Sequence, residues 1–100
     1  MKNHTIYSPN DSFSIEVYNL EMEDEPDTTA TTNFYKEGWT ALVLGRGLNT
    51  TTAFLDAIDN ILDGDLRPPM EVMDNLWAAA TWDPSPYVGQ HICVVKWRTP

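Results

Sequence analysis

The sequence predicts an α+β domain in which an antiparallel sheet of three to four strands carries two helices on one face. Two segments in the first half of the chain, and one at its end, have the apolar pattern of strands. Between them lie two stretches with the apolar spacing of helices. The predicted order is β-β-α-α-β, in a single domain covering residues 1–100. Hydrophobic residues make up 42% of the chain, which is enough for one core.

The first predicted strand is SFSIEVYNL, residues 12–20. Phe13, Ile15 and Val17 alternate with more polar residues, and this period of two is typical of a half-buried strand. A shorter extended segment at His4–Tyr7 is a candidate for an additional edge strand.

The second predicted strand lies within NFYKEGWTALVLG, residues 33–45, and is apolar on both faces near its end. This pattern favours a central position in a sheet covered on one side. Since consecutive strands usually pair, we expect it to lie antiparallel to the first strand, with the acidic stretch EMEDEPD, residues 21–27, in the connection. The last predicted strand is HICVVKWR, residues 91–98, with Cys93 and Trp97 on one face.

The first predicted helix covers residues 51–63 and follows a cluster of good N-capping residues at positions 49–51. Gly64 is expected to end it as a C′ glycine, a position that is usually left-handed. The apolar residues recur at spacings of three and four, which predicts an amphipathic helix. These residues are Phe54, Leu55, Ile58, Ile61 and Leu62.

The second predicted helix begins at Pro68-Pro69 and continues as the apolar segment Met70–Trp82. Few of its residues are polar, so this helix is either well buried or leaves apolar surface for a partner. Trp77 and Trp82 are its ambiguous members, because an exposed Trp is a typical interface anchor and a buried one belongs to the core.

The chain is strongly acidic, with a net charge of −9 and only six Lys and Arg residues. Binding to nucleic acid requires basic residues that neutralise phosphates, so direct binding of DNA or RNA is not expected. An acidic surface instead favours a protein partner that carries a basic, nucleic-acid-binding surface. No signal peptide or membrane span is recognisable, so we expect a cytoplasmic protein without a membrane partner, in the host cytoplasm if a phage encodes it.

No motif indicates catalytic, cofactor-binding or metal-binding residues, so we expect no enzyme, cofactor or metal. The two histidines, His4 and His91, lack ligand spacing, and Cys93 is the one cysteine. A Cys93–His91 pair on one strand face is geometrically conceivable as a nucleophile and base, although such a cysteine is more often a small buried side chain. The segment LGRGLNTTT lacks the spacing of a phosphate-binding loop, and a strand-to-helix turn explains it better.

The segment YKEGWTALVLGRGLNTTTAFLDAIDNIL, residues 35–62, resembles the partial RNase-H-like domain of HicB-type antitoxins. That family has a Gly-aromatic-Thr-Ala strand, a turn containing glycine, a threonine and then an amphipathic helix. Where the family commonly begins its helix with Glu-Glu-Ala, this chain has Thr52-Ala53-Phe54. The resemblance implies a partner-binding role of the antitoxin type.

Acidic residues are the strongest surface feature of the sequence. Five occur within EMEDEPD, and others recur three and four residues apart on the outward face of the first helix. Neighbours at this spacing have Cβ atoms about 5–6 Å apart, which is similar to the separation of DNA phosphates. The predicted partner-binding residues are the acids of these two segments and one tryptophan: Glu21, Glu23, Asp24, Glu25, Asp27, Asp56, Asp59, Asp63, Asp65 and Trp77.

Phage-type anti-restriction and anti-CRISPR proteins are similar to this chain in size and charge, a likeness of composition. The function predicted first is therefore a small acidic protein-binding inhibitor of a nucleic-acid-handling protein, with DNA mimicry as one form of it. The alternative is a HicB-like antitoxin, or another partner-binding module, that acts through the apolar helix Met70–Trp82. A homodimer is left open.

Overall fold

The computed structural model describes residues 2–7, 12–22, 38–65, 67–82 and 89–98. In chain order its elements are β1 (Lys2–Tyr7), β2 (Phe13–Asn19), β3 (Ala41–Gly47), α1 (Thr50–Asp63), α2 (Met70–Ala80) and β4 (His91–Trp97). The strands form one sheet in the order β1-β2-β4-β3, and neighbouring strands are antiparallel. The predicted α+β fold is confirmed, and the additional strand at the start is present. No helix in these ranges is long and apolar enough to cross a membrane.

β4 lies inside the sheet, between β2 and β3, and pairs with both from His91 to Trp97. Because β2 and β3 are each antiparallel to β4, they run parallel to each other and do not form a hairpin. The predicted pairing of these two strands is therefore wrong. The central position predicted for β3 is also wrong, since β3 is an edge strand.

The core lies between the sheet and the two helices. α1 contacts β3, β4 and α2, whereas α2 packs mainly on α1. Strand side chains that alternate along the sheet face the helices, as the period of two predicts. The core residues are Phe13, Ile15, Val17, Ala41, Val43, Cys93, Val95 and Trp97 from the strands, with Ala53, Phe54, Ala57, Ile58, Ile61, Val72, Leu76 and Ala79 from the helices.

The opposite face of the sheet is also buried at β2 and β4. Ile92 and Val94 alternate with the core residues of β4 and are nevertheless buried. On β2, Ser14 and Glu16 are buried too, and the hydroxyls of Ser14 and Tyr18 donate hydrogen bonds to the Glu16 carboxylate. The predictions of a half-buried first strand and of a sheet covered on one side are therefore wrong.

Asn49 caps the N-terminus of α1, as the cluster of capping residues predicted. The Thr52 backbone N–H donates to Asn49 Oδ1 at 2.8 Å, and the Asn49 N–H donates to Thr52 Oγ1 at 3.2 Å, which completes a capping box. The side chains of the turn before the helix are thus used to cap α1. At the other end, Gly64 has extended backbone, with φ −91°, so the left-handed conformation expected there is wrong.

α1 approaches β3 closely because two glycines of β3 leave room for the helix backbone. A Cβ added at Gly45 would overlap the Ala53 carbonyl oxygen and the Ala57 nitrogen, and would lie 2.7 Å from Ala57 Cα. A Cβ added at Gly47 would overlap the Thr52 side chain and lie 2.7 Å from the Ala53 nitrogen. Ala53 and Ala57 are themselves fully buried. Small residues on both elements therefore set the distance between helix and strand.

α2 begins immediately after the two prolines. Pro69 is its N-cap residue, and the Val72 N–H donates to the Pro69 carbonyl at 3.0 Å. The fixed φ of proline suits this position, where no backbone N–H is needed. The buried face of α2 consists of Val72, Leu76 and Ala79.

Candidate protein-binding surface

The acidic stretch EMEDEPD contributes one acid to the described part of the chain. Glu21 is exposed and lies just after β2, where its side chain packs against Gly89 near the start of β4. Gly89 has a φ of 137°, which L-residues with side chains rarely adopt. The other predicted residues of this stretch, Glu23, Asp24, Glu25 and Asp27, lie outside the described residues.

Three acids of the predicted helix row are exposed. Asp59 and Asp63 lie one turn apart on α1, and Asp65 follows the helix. None of the three has a hydrogen-bond or ion-pair partner among the described residues. Their carboxylates therefore face solvent, as the outward position predicted from their spacing requires.

Asp56, the fourth acid of the predicted row, has a structural role. Its Oδ2 accepts a hydrogen bond from the backbone N–H of Arg46 at 2.8 Å. Asn60, one turn later, donates from Nδ2 to the Leu44 carbonyl at 2.7 Å. Both bonds go to outward-pointing backbone groups of β3, so α1 covers part of the exposed edge of the sheet.

Replacing Asp56 by alanine is expected to lower the free energy of unfolding by about 1 kcal/mol, because the Arg46 N–H loses a charged acceptor. The uncovered strand edge should also increase association at high concentration. Urea denaturation and sedimentation measure the two effects. Asp59→Ala is the control, since Asp59 is exposed on the same helix and should change stability by about 0.5 kcal/mol or less. Equal effects of the two substitutions would contradict a structural role for Asp56.

An apolar groove lies where the end of α1 meets the start of α2. Its volume is about 460 Å³. Leu62 and Met70, which line it from the two helices, are 62% and 78% exposed. The lining residues in the described part of the chain are Ile61, Leu62, Arg67, Pro68, Met70 and Met73. Exposed apolar side chains that share a groove are a feature of interaction sites.

The groove was not predicted from the sequence, because the spacing of Leu62 assigns it to the apolar face of the first helix. Leu55 and Leu62 are seven residues apart, so they lie on the same side of the helix, and both are exposed. The signal was present in the sequence: the apolar residues between positions 54 and 62 occupy a wider arc than one packing face needs.

The two ambiguous tryptophans differ in their surroundings. Trp77 lies on α2 four residues after Met73 and is 50% exposed. Trp82, just beyond the helix, packs edge-on against Phe54, with 6.4 Å between ring centroids. Trp77 thus continues the apolar side of α2 beyond Met73. Trp82, by contrast, also contacts the core.

His91 and Cys93 are both fully buried in β4. The Nδ1–H of His91 donates to the Gly89 carbonyl at 2.7 Å, and His91 Nε2 has no hydrogen-bond partner in the described part of the chain. Burial raises the pKa of the Cys93 thiol to about 12. A nucleophilic cysteine requires a lowered pKa and access to substrate, so the Cys93–His91 hypothesis fails. The described residues contain no cluster of three or more potential metal ligands.

The native protein is expected to be unreactive toward a disulfide reagent at about pH 8, and to react once it is unfolded in urea. The burial of Cys93 also makes stability depend on pH. Below the ordinary pKa of 9.0 the thiol is protonated in both the folded and the unfolded protein, and its contribution to stability is fully present. Above 9.0 the unfolded protein loses this proton first, so the contribution is lost as the pH rises toward about 12. Thiol titration with and without urea measures the reactivity. Urea denaturation of the native protein and of Cys93→Ala between about pH 9 and 12 measures the pH dependence of stability. Fast reaction of the folded protein would contradict the burial of Cys93.

In comparisons with known proteins, no family model, no curated protein and no solved structure matched this chain. The resemblance of residues 35–62 to HicB-type antitoxins therefore has no support from a family match.

Proposed function

We propose that this chain is a small acidic protein-binding module that inhibits a nucleic-acid-handling protein by occupying its basic surface. One observation carries the proposal: Asp59, Asp63 and Asp65 are exposed and have no partner among the described residues. Exposed carboxylates attract a basic surface and accelerate association with it. The net charge of −9 extends this attraction to longer range.

The class of protein that fits this proposal is the phage-type inhibitor, either anti-CRISPR or anti-restriction. DNA mimicry is one form of such inhibition, because acids one helical turn apart have a spacing similar to that of DNA phosphates. Asp56 is excluded from the mimicking set, since its carboxylate is bonded to β3. The set then consists of the three exposed acids of α1 and its C-terminal extension, together with the acids of residues 21–27.

The proposal is tested by removing acidic residues near the C-terminal end of α1 and, in a control, adding others near its N-terminal end. A partner is first captured from a lysate at low salt, identified, and purified. The variant with Asp59→Asn and Asp63→Asn changes the net charge from −9 to −7, because two carboxylates become amides. Its association rate with the partner is expected to fall by about tenfold, with the fold unchanged.

The matched control restores the net charge at the other end of α1. It adds Leu48→Glu and Gln90→Glu, two exposed positions, to the double variant. Association should stay slow if the position of the acids matters. A full return to the native rate would show that net charge alone acts, and an unchanged rate in the first variant would exclude charge-directed binding.

A module that binds through the apolar helix α2 is the second candidate, favoured by the exposure of Trp77. This antitoxin-like mode predicts binding that is insensitive to salt. In that case Trp77→Ala abolishes capture of the partner, and the substitutions at Asp59 and Asp63 leave it intact.

A further inference from the structure

The α1 side of the apolar groove carries acidic residues beside its apolar ones. Leu62 projects into the groove, Asp59 lies one turn before it, and Asp63 follows it directly. Asp65 continues this acidic side beyond the end of the helix. All three acids are exposed.

The α2 side has the same combination. Met70, Met73 and Trp77 form an apolar stripe, because their spacings of three and four place them along one side of the helix. Asp74 lies one turn after Met70 and one turn before Trp77, and is exposed. Glu71, also exposed, lies one turn before Asp74.

Among the described residues that line the groove, Arg67 is the one basic residue, and it is held at the end of α1. Arg67 Nη1 donates to the Gly64 carbonyl at 3.2 Å, at the helix C-terminus, where the helix dipole favours a positive charge. The described lining residues thus include one guanidinium and no carboxylate, whereas five exposed carboxylates lie on the two helices and the turn between them. These segments therefore carry more negative than positive charge, and their exposed acids, Asp59, Asp63, Asp65, Glu71 and Asp74, are called the acidic rim of the groove.

We infer that the groove binds a basic amphipathic helix of the partner, with apolar side chains in the groove and Lys or Arg residues against the acidic rim. This inference rests on the proposed function, because it names the part of a basic partner that is bound. The stripe from Met70 to Trp77 covers about 10 Å, the rise of seven helical residues. That length matches apolar anchors spaced i, i+3 or i+4, and i+7 on a bound helix.

A second copy of this chain fits the groove less well. A symmetric contact would bring the same surface of both copies together. The acidic rims of the two copies would then lie close together, and such like-charge contacts are unfavourable. Charge complementarity therefore selects a basic occupant.

The inference is tested with three synthetic peptides of equal length and known chemistry. One is an amphipathic Lys/Leu helix, the second has Glu in place of every Lys, and the third is oligolysine with the same number of positive charges as the first. Calorimetry at low and high salt measures their binding to the full chain. We expect saturable one-to-one binding of the Lys/Leu peptide that weakens at high salt, weaker binding of oligolysine, and none of the Glu/Leu peptide.

Surface variants locate the contact. Leu62→Ser and Met70→Ser alter exposed groove residues and are expected to weaken binding of the Lys/Leu peptide by about tenfold each. Leu48→Ser is the matched control, since Leu48 is also exposed, at 68%, and lies at the opposite end of α1. It should leave the affinity within about twofold.

Each remaining outcome overturns the inference in a recognisable way. Equal binding of oligolysine and the Lys/Leu peptide, unaffected by the groove variants, overturns the groove as a site and leaves the proposed basic partner standing. Equal binding of the Glu/Leu peptide overturns charge complementarity. If neither lysine peptide binds, the inference is overturned. If, in addition, the partner associates slowly and without dependence on salt, the proposed function is overturned too. If the native protein associates with itself and Met70→Ser abolishes that association, the groove binds a second copy of this chain and not a basic helix.

Discussion

Gly45→Ala is expected to lower the free energy of unfolding by about 3 kcal/mol, the upper end of the usual range for overpacking. The added methyl group would overlap the backbone of α1 at Ala53 and Ala57. Side-chain clashes can be relieved by a change of rotamer, but these atoms belong to the hydrogen-bonded helix. Relief therefore requires α1 to move away from β3, which would also lengthen the bonds of Asp56 and Asn60 to the strand edge.

Urea denaturation of Gly45→Ala and of Leu48→Ala measures this effect against a neighbouring control. Leu48 is exposed and close in sequence, so its truncation should change the stability by about 0.5 kcal/mol or less. If Gly45→Ala were as stable as the control, the close approach of α1 to β3 would be contradicted.

Leu76→Ala is expected to lower the free energy of unfolding by about 2–5 kcal/mol, the usual cost of truncating a fully buried leucine. α2 is attached mainly through α1, and Leu76 lies in the middle of its buried face. Loosening of this contact should also disturb the apolar groove. Binding of the Lys/Leu peptide is therefore expected to weaken together with stability.

Trp77→Ala is the matched comparison, because Trp77 is the next residue and is half exposed. It is expected to reduce stability by about 1 kcal/mol or less, yet to weaken binding by about tenfold or more. Urea denaturation and peptide calorimetry on both variants separate the two faces of α2. A larger loss of stability for Trp77→Ala than for Leu76→Ala would contradict this assignment of the faces.

The helices and strands were predictable because each depends on a local pattern. The cluster at positions 49–51 identified the start of α1, and alternation along β2 identified a strand. Strand order was not predictable in the same way, since pairing joins residues far apart in sequence. The pattern that favoured a central β3 occurs more strongly in β4, where His91–Val95 are all buried.

The candidate site was predictable only in part. Spacing placed Asp56, Asp59 and Asp63 on the outward side of α1, and the structure places the last two in solvent. Spacing could not show that the edge of β3 passes beside Asp56 and bonds its carboxylate. Spacing could not show the groove either, because Leu62 and Met70 line it from different helices.

A basic amphipathic helix is expected to bind where the apolar groove meets the acidic rim. An NMR titration of isotope-labelled protein with the Lys/Leu peptide, at low and high salt, tests this most directly. We expect chemical-shift changes centred on Leu62, Met70 and Trp77, with an affinity that falls as salt increases. Changes centred on Leu48 and Gln90 at the other end of the protein, or changes of equal size at both salt concentrations, would contradict it.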